Sequence, residues 1–352
     1  KNMTLLCNKG IKILHIGGMH NRHEGRLFYS LGKKLNNGFI KNDFNVIQIS
    51  DRDFLKSNIF NYKKPLFIDH IKKTILNFKP DIVLFGHVDS LNFNDFFQLR
   101  MDHKNIKFSQ YFVDTLDPKF IKFSAHQKRF FLKYQICDTN FITTDPSTLD
   151  FVDKSKTFYI PNVCDASIDI LNNFEYENLE YDIFFALSHG QHRGALKKGY
   201  KDERVDFINK LEIDDVKKNF FGINKQPIWG QNYFYELSKS KMGLNYNRGK
   251  PIKYYSSDRI CSLIANGLLT FLQRGYFYED FFEDRIDAIF YEDHNDLSDY
   301  IKYYSKNNKL RSKIASKGKE KYFNIFENTF TTKYMVEKIL ENKITNKLSW
   351  MK

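Results

Sequence analysis

Cysteine is scarce in this 352-residue sequence: Cys7, Cys137, Cys164 and Cys261 are the only four. They are widely scattered and form no C-x-x-C pair, which excludes a dense disulfide framework and makes reduced thiols in the cytoplasm the simplest reading. Long apolar runs are also missing. Ile82–Phe85 and Gly267–Leu272 are among the longest, far short of the roughly 20 residues a membrane-spanning helix needs. Lys1 to Lys12 is basic but has no continuous apolar stretch ahead of Ile11–Ile16, so no secretory signal is expected. A G-x-G-x-x-G fingerprint is absent too. The glycines of Gly17-Gly18-Met19-His20-Asn21-Arg22-His23-Glu24-Gly25 are wrongly spaced, and no suitable acid precedes Asp51 on the second strand. That argues against a nicotinamide cofactor, and none is expected.

What the chain does have is length for two domains and much to bury. Apolar residues make up 42% and aromatics 16%, with 35 Phe and 21 Tyr, so both domains should be globular. Lys and Arg number 55 against 42 Asp and Glu, a net charge of +13. Such an excess favours an anionic partner, and nucleic acid, anionic lipid and nucleotide diphosphate all qualify. The surplus is spread along the chain, however, and the heavy use of Lys, Phe, Tyr and Asn is also what an AT-rich genome produces.

Two successive series of alternating strands and helices run along the sequence. In the first, Lys12–Gly17 reads as a strand. Gly25 to Lys41 follows as a helix carrying Leu27, Leu31, Leu35 and Phe39 at helical spacing. Asn45–Ser50, Asp81–Gly86, Lys107–Val113 and Asn140–Thr144 continue as strands, with helices at Ile68–Phe78 and near Pro118–Tyr134. A turn-rich, polar stretch from Pro161 to Tyr181 reads as a linker. The second series runs through strands at Asp182–Ser188, Asn219–Gly222, Met242–Tyr246, Leu268–Gln273 and Ala288–Tyr291. Its helices fall at Asp202–Leu211, Asn232–Ser240, Asp258–Asn266 and Asp296–Ser305. Such alternation implies parallel sheets covered on both faces, hence an α/β protein of two Rossmann-like, doubly wound lobes facing a central cleft. The expected boundaries are residues 1–168 and 169–327. Helical patterning at Lys309–Tyr322 and Thr331–Leu340 then places 328–352 back on the first lobe, with Met335, Ile339 and Leu340 buried there.

Ligands of open α/β sheets bind beyond the carboxyl ends of strands, so the loops there hold the candidate residues. After the first strand, Gly17 and Gly18 offer backbone flexibility, and His20 and Glu24 an imidazole and a carboxylate, ahead of a helix N-terminus suited to an anion. His189, His192 and Arg193 follow the first strand of the second series. The two histidines lack further ligands for zinc. In the stretch from Asn245 to Arg259, Ser256 or Ser257 reads as a helix N-cap. Around it Asn247, Arg248, Lys253, Ser257, Asp258 and Arg259 are candidates for a diphosphate, which arginine grips bidentately and lysine meets as a point charge. Asp89 and Asp114 follow first-lobe strands and, with Glu24 and His20, are the candidate proton acceptors. No metal site is expected, because the D-x-D spacing of Asp51-Arg52-Asp53 stands at a strand exit far from the expected diphosphate. Phe120, Phe123, Phe130 and Tyr134 share a helical face among lysines, a pattern open to an anionic membrane surface or to the lobe's own core.

The stretch from Tyr181 to Phe326 resembles the C-terminal lobe of CgeB-like glycosyltransferases, relatives of the group-1 GT-B enzymes. The resemblance is carried by the basic loop, Ser257-Asp258-Arg259, Ala265-Asn266-Gly267, Phe277-Tyr278-Glu279-Asp280-Phe281-Phe282 and Phe290-Tyr291-Glu292-Asp293-His294-Asn295-Asp296-Leu297. Where group-1 retaining enzymes carry two glutamates seven residues apart, this chain has Ser257 or Asp258 and Ala265. The resemblance implies a nucleotide-sugar donor, which is a substrate and not a cofactor. It implies transfer to a glycan, a lipid-linked saccharide or another cell-surface polysaccharide, with peripheral contact at the inner face of an anionic membrane as an option. Metal-independent catalysis and no nucleic-acid partner are expected. A sugar-nucleotide epimerase of the same fold is one alternative and a basic nucleic-acid-binding protein another, although the sequence shows no recognisable nucleic-acid module.

Overall fold

A computed structural model describes residues 10–57, 67–119, 123–187, 203–223 and 225–351. The chain separates into two compact units: one takes residues up to Asp165 and those from Phe326 onward, the other Ala166–Ile325.

The first unit is built on six parallel strands, β1 (Lys12–Ile16), β2 (Asn45–Ile49), β3 (Ile82–Phe85), β4 (Lys107–Phe112), β5 (Thr139–Ile142) and β6 (Thr157–Tyr159), in the order β2-β1-β3-β4-β5-β6. Every residue of β3 and β5 is buried, as expected of central strands covered by helices on both faces. The helices are α1 (Leu31–Lys41), α2 (Asp51–Ser57), α3 (Phe67–Phe78), α4 (Phe93–Asp102) and α5 (Phe123–Tyr134). A capping box starts α4: Asn92 Oδ1 accepts from the Asp95 N–H at 3.1 Å, and the Asp95 carboxylate accepts from the Asn92 N–H at 2.9 Å. This is the reciprocal satisfaction of two amides left free by a helix start.

Sequence periodicity does not reveal α2, α4 or β6, which are short or interrupted by charge. It also starts α1 too early. Residues 25–30 form successive tight turns, Arg26 N–H to His23 O, Phe28 N–H to Gly25 O and Ser30 N–H to Leu27 O. Gly25, at φ 79, bars a continuous helix. The aromatic face of α5 is turned into the unit, with Phe130 and Tyr134 buried and Phe123 against Phe151; Phe120 lies outside the described residues.

The second unit has five parallel strands, β7 (Tyr181–Ala186), β8 (Lys218–Phe221), β9 (Ser240–Asn245), β10 (Leu269–Gln273) and β11 (Ile289–Tyr291), ordered β11-β10-β9-β7-β8. Helices α6 (Glu203–Asn209), α7 (Gln231–Ser238), α8 (Arg259–Ile264), α9 (His294–Lys306) and α10 (Asn308–Phe326) accompany it. Its core gathers Ile183, Phe185, Leu244, Leu269, Phe271, Leu297 and Ile301.

The chain then returns to the first unit as α11 (Asn328–Ile339), and Met335 and Ile339 are buried there, with Leu340 half-buried. At the return, Cys164 N–H donates to Phe326 O at 3.0 Å and Asn328 N–H donates to Cys164 O at 2.9 Å. Beside them the Asp165 carboxylate, fully buried, accepts from Asn37 Nδ2 at 2.8 Å, Lys41 Nζ at 2.6 Å and Asn328 Nδ2 at 3.0 Å. Helices α1 and α11 cross so closely that a Cβ on Gly38 would stand 2.6 Å from the Asn328 carbonyl oxygen, so glycine is required inside α1 despite its helix-weakening entropy.

Removing one partner from a buried charged cluster leaves the others unpaired. Asp165→Ala should therefore lower unfolding stability by about 3–5 kcal/mol, readable by urea denaturation; a loss below 1 kcal/mol would show that the cluster is not holding the return segment. Lys133, on α5, is 2% exposed, and burial pulls its ammonium down to about 8. Below that pH both folded and unfolded chains carry the proton and the burial penalty is full. Between 8 and the unfolded value near 10.4 the unfolded chain holds the proton more tightly, so stability rises with pH. Lys133→Met should accordingly raise stability at pH 7, on the order of 3 kcal/mol, and lose that advantage towards pH 10.5; a pH-independent difference between the two proteins would refute this.

Candidate functional site

Each sheet has one place where successive strands diverge to opposite sides, the position at which open α/β sheets hold ligands. In the second unit it lies between β7 and β9. The loop after β7 contains His189, His192 and Arg193, which lie outside the described residues. The loop after β9 is stitched down by its own side chains. Asn245 Nδ2 donates to Ser256 Oγ at 3.1 Å, and the Ser257 N–H donates to Asn247 Oδ1 at 3.2 Å. Further along, the Tyr254 N–H donates to Tyr276 O and the Tyr278 hydroxyl to Tyr254 O, each at 2.8 Å. Tyr254 adopts φ 65, a left-handed conformation that costs a bulky residue energy and persists where surroundings enforce it.

These bonds revise the expected cap. Helix α8 begins one residue later, with Asp258 as N-cap and no side-chain cap bond. The Ser256 hydroxyl is spent on Asn245 and on the Ser257 carbonyl, 3.0 Å away. Ser257 instead leaves its hydroxyl buried with no hydrogen-bond partner among the described residues, as does the Tyr291 hydroxyl at the end of β11. Buried polar atoms are nearly always satisfied, so the Ser257 and Tyr291 hydroxyls are candidates to meet a polar ligand. Burial raises the phenol of Tyr291, with Tyr246 and Tyr276 adding to the effect, and raises that of Tyr276 likewise. Both hydroxyls therefore remain protonated donors at neutral pH.

Arg259 spans the divergence. Its Nε donates to Ala186 O, at the end of β7, at 3.3 Å, and Nη1 donates to Tyr246 O, just past β9, at 3.0 Å; its guanidinium lies 4.9 Å over the Phe185 ring. Burial brings it down to about 10, which leaves it a cation at pH 7. Lys253 sits 4.7 Å over Tyr254 and 5.8 Å over Phe277. Arg248 is half-buried in the same loop and Asp258 is exposed.

In the first unit the divergence lies between β1 and β3. Tyr111 of β4 points its hydroxyl into a space left by Gly17, Gly32 and Gly86, bonded to the buried His15 at 3.1 Å. Added Cβ atoms on Gly17 and Gly32 would stand 3.1 and 2.9 Å from that hydroxyl, and one on Gly86 would overlap it. The two loops can approach so closely only as glycines. Gly18 lies under the His20 ring. His20 and Glu24, at φ 62 and 56, flank a single 3-10 turn at Asn21–His23, whose first N–H donates to Asp53 at 3.0 Å.

Asp114 meets a histidine that sequence reasoning did not select. His87 Nε2 lies 3.7 Å from Asp114, which Arg129 grips at 2.7 Å, and Asp89 pairs with Arg52. The fully buried Asp51 carboxylate accepts from the Asp89 and Ser90 N–H groups at 2.9 and 3.2 Å and so fixes this loop. Burial lowers His87 to about 4, with Asp114 opposing and Arg129, Lys133 and Arg52 reinforcing; the imidazole is neutral at pH 7, and Asp114 is the neighbour that favours its protonated form. His87 follows β3 directly, so the loop position that singled out Asp89 could have singled it out as well. His20 and Glu24 belong to the other loop. Among the described residues no group of three or more His, Cys, Asp or Glu is placed to hold a metal, and no helix is long and apolar enough to cross a membrane.

Comparison with known proteins bears on the family and the fold. Residues 204–341 match the family model described as glycosyl transferase-like. No curated protein matches the chain. Among solved structures, an alpha-glucosyltransferase in complex with UDP-glucose and DNA containing an abasic site is 14% identical, with a TM-score of 0.62, over 94% of this chain and 99% of that one. Anabaena Alr3699/HepE in complex with UDP and glucose gives 10%, 0.57, 94% and 100%. Sucrose-phosphate synthase from Thermosynechococcus elongatus gives 11%, 0.59, 94% and 98%. These likenesses establish the fold: two Rossmann-like lobes of the GT-B class.

Because Arg259 closes two main-chain carbonyls, Arg259→Ala should destabilise the ligand-free protein by about 1–3 kcal/mol per carbonyl left bare. Arg259→Lys should recover only part, since an ammonium cannot fork between both. Thermal unfolding of the three proteins without ligand checks this, and equal midpoints would contradict it.

Proposed function

We propose that this chain is a glycosyltransferase that moves a sugar from a nucleoside-diphosphate donor to a hydroxyl of a glycan, a lipid-linked saccharide or another surface polymer. One observation carries the reading: the glycosyl transferase-like match over residues 204–341 covers the loop after β9, where Arg248, Lys253, Arg259 and the orphaned Ser257 and Tyr291 hydroxyls collect. That is the chemistry a nucleotide diphosphate needs, cations for the phosphates and hydroxyl donors for its polar edges. A CgeB-like subtype is part of the proposal, resting on the motifs between Tyr181 and Phe326.

In the transfer the acceptor oxygen bonds to the anomeric carbon, the bond from that carbon to the diphosphate oxygen breaks, and the acceptor proton leaves. Arg248, Lys253 and Arg259 offset the charge developing on the departing diphosphate, the kind of preorganised stabilisation that dominates many rate enhancements. We assign diphosphate neutralisation to these side chains, so that catalysis proceeds without a metal. We assign proton acceptance to His87 together with Asp114: the carboxylate, held by Arg129, offsets the charge that burial disfavours on the imidazole. A cavity of about 560 Å³ at the ends of β1 and β2, lined by Met19, Asn21, Ser50, Asp53 and Phe54 among others, is a place for the acceptor in the first unit.

A second reading of the acceptor has its own support. The net charge is +13, and one structural neighbour was solved with DNA beside UDP-glucose; duplex DNA is therefore tested as acceptor beside glycans.

A thermal-shift panel of UDP, GDP and CMP decides the donor, because a ligand at 100 times its dissociation constant stabilises by about 2.7 kcal/mol. One nucleotide diphosphate should shift the midpoint, and silence across the panel would sink the reading. With the matching sugar donor, His87→Ala should lower kcat by about 10²–10⁴ while leaving the nucleotide shift intact, and activity should survive EDTA. Activity abolished by EDTA and restored by manganese or magnesium would overturn the metal-free assignment.

A further inference from the structure

The second unit carries another concave surface at the opposite end of its sheet. A cavity of about 530 Å³ is lined by Arg285, Asp299, Tyr300, Tyr303, Tyr304 and Leu310. Arg285 precedes β11, and the tyrosines occupy the last two turns of α9, which runs back from the carboxyl end of that strand. The groove therefore belongs to the amino-terminal edge of the sheet, away from the basic loop after β9. Its volume lies within the range of about 300–1,000 Å³ typical of small-molecule sites.

The lining is chemically particular. Tyr303 is 51% exposed and Leu310 38%, a large open aromatic face beside an aliphatic one. Tyr303 is steadied from beneath by Tyr304, the two rings meeting edge to face at 5.0 Å and 88°, and Tyr304 is buried. Arg285 is held in place by its own left-handed backbone at φ 61. Its N–H donates to Ala288 O at 2.8 Å, and its Nη2 donates to the Tyr300 hydroxyl at 3.1 Å. The Asp299 carboxylate is exposed and makes no hydrogen bond or ion pair among the described residues. The groove thus pairs flat aromatic surface with one fixed guanidinium and one open carboxylate, for a combined charge near zero.

We infer that this groove binds a neutral oligosaccharide. A pyranose ring has an apolar face of C–H bonds that stacks on a tyrosine and a rim of hydroxyls. Adjacent hydroxyls match the planar fork of a guanidinium as acceptors and a carboxylate as donors. The alternatives match less well. A nucleotide would stack on the ring but bring its phosphates to the open Asp299 carboxylate, and an acyl chain would desolvate the Arg285 and Asp299 charges without offering either a polar partner. The binding inference stands on the groove alone. Its use, to retain a growing or acceptor glycan at a point separate from the transfer chemistry, rests on the proposed glycosyltransferase function.

The test uses the full chain and a panel of cellohexaose, maltohexaose and chitohexaose, titrated by calorimetry. At least one oligosaccharide should bind. Tyr303→Ala should weaken it about tenfold, in keeping with loss of one stacking contact, whereas Tyr303→Trp, which keeps an aromatic face, should retain it. Asp299→Ala should also weaken it, and none of the three should move the nucleotide thermal shift. No binding across the panel, or binding that Tyr303→Ala leaves unchanged, overturns the inference. So does self-association that Tyr303→Ala abolishes, since the face would then serve a second copy of the chain. Oligosaccharide binding without any nucleotide shift would defeat the transferase reading and leave this one standing.

Discussion

A buried carboxylate, Asp165, is the constraint on which the first unit's construction depends. It sits where the chain leaves that unit and is met there by Asn328, where the chain comes back 160 residues later. Lys41 and Asn37 bind it from α1, so one side chain ties a helix near the start, the exit and the return. A charge in such surroundings is tolerable because donors, Asn37, Lys41 and Asn328 among them, meet it. The same geometry explains the glycine within α1, because the return helix approaches Gly38 too closely for any side chain.

A related use of carboxylates recurs at the loops that matter for chemistry. Asp51 and Asp53 accept backbone N–H groups from the loops after β3 and β1, and Asp114 is fixed by Arg129 before it faces His87. In the second unit asparagine takes that part, Asn245 and Asn247 reaching across the loop after β9 to Ser256 and Ser257. The two units thus organise their sheet ends differently. The first surrounds a neutral imidazole with fixed charges, and the second sets cations beside hydroxyls that have no hydrogen-bond partner among the described residues. A cationic pocket suits a diphosphate, which is why we propose donor recognition for the second unit.

Much of the fold was legible beforehand. The doubly wound pattern shows in apolar runs such as Ile82–Phe85 that end in glycine or a polar residue, and in the leucines of α1 at helical spacing. The helix starts were less legible, for a physical reason: a cap depends on which partner a hydroxyl finds. Ser256 looks like a cap in the sequence, but in the structure its hydroxyl faces Asn245, eleven positions away. Short elements such as β6 and α2 escape notice because three to seven residues carry too little periodicity to stand out. The part that Asp51 and Asp53 play, as acceptors for backbone N–H groups of the loops after β3 and β1, is likewise invisible in their spacing.

By itself the sequence determined the class of fold, through strands and helices that alternate twice along the chain. It also pointed to the loops that follow the strands, since open α/β sheets bind ligands beyond the carboxyl ends of their strands. Local patterning suffices for this, since the periods of 2 and 3.6 residues are properties of the backbone. Only the tertiary structure decided which loop residues meet. His87, Asp114 and Arg129 come from the loops after β3 and β4 and from α5; Tyr300 and Arg285 are bonded beside β11; and the Ser257 and Tyr291 hydroxyls have no hydrogen-bond partner among the described residues. Such relations depend on strand order and on distances between segments far apart in the chain, and these are set by packing, which no short window of sequence contains.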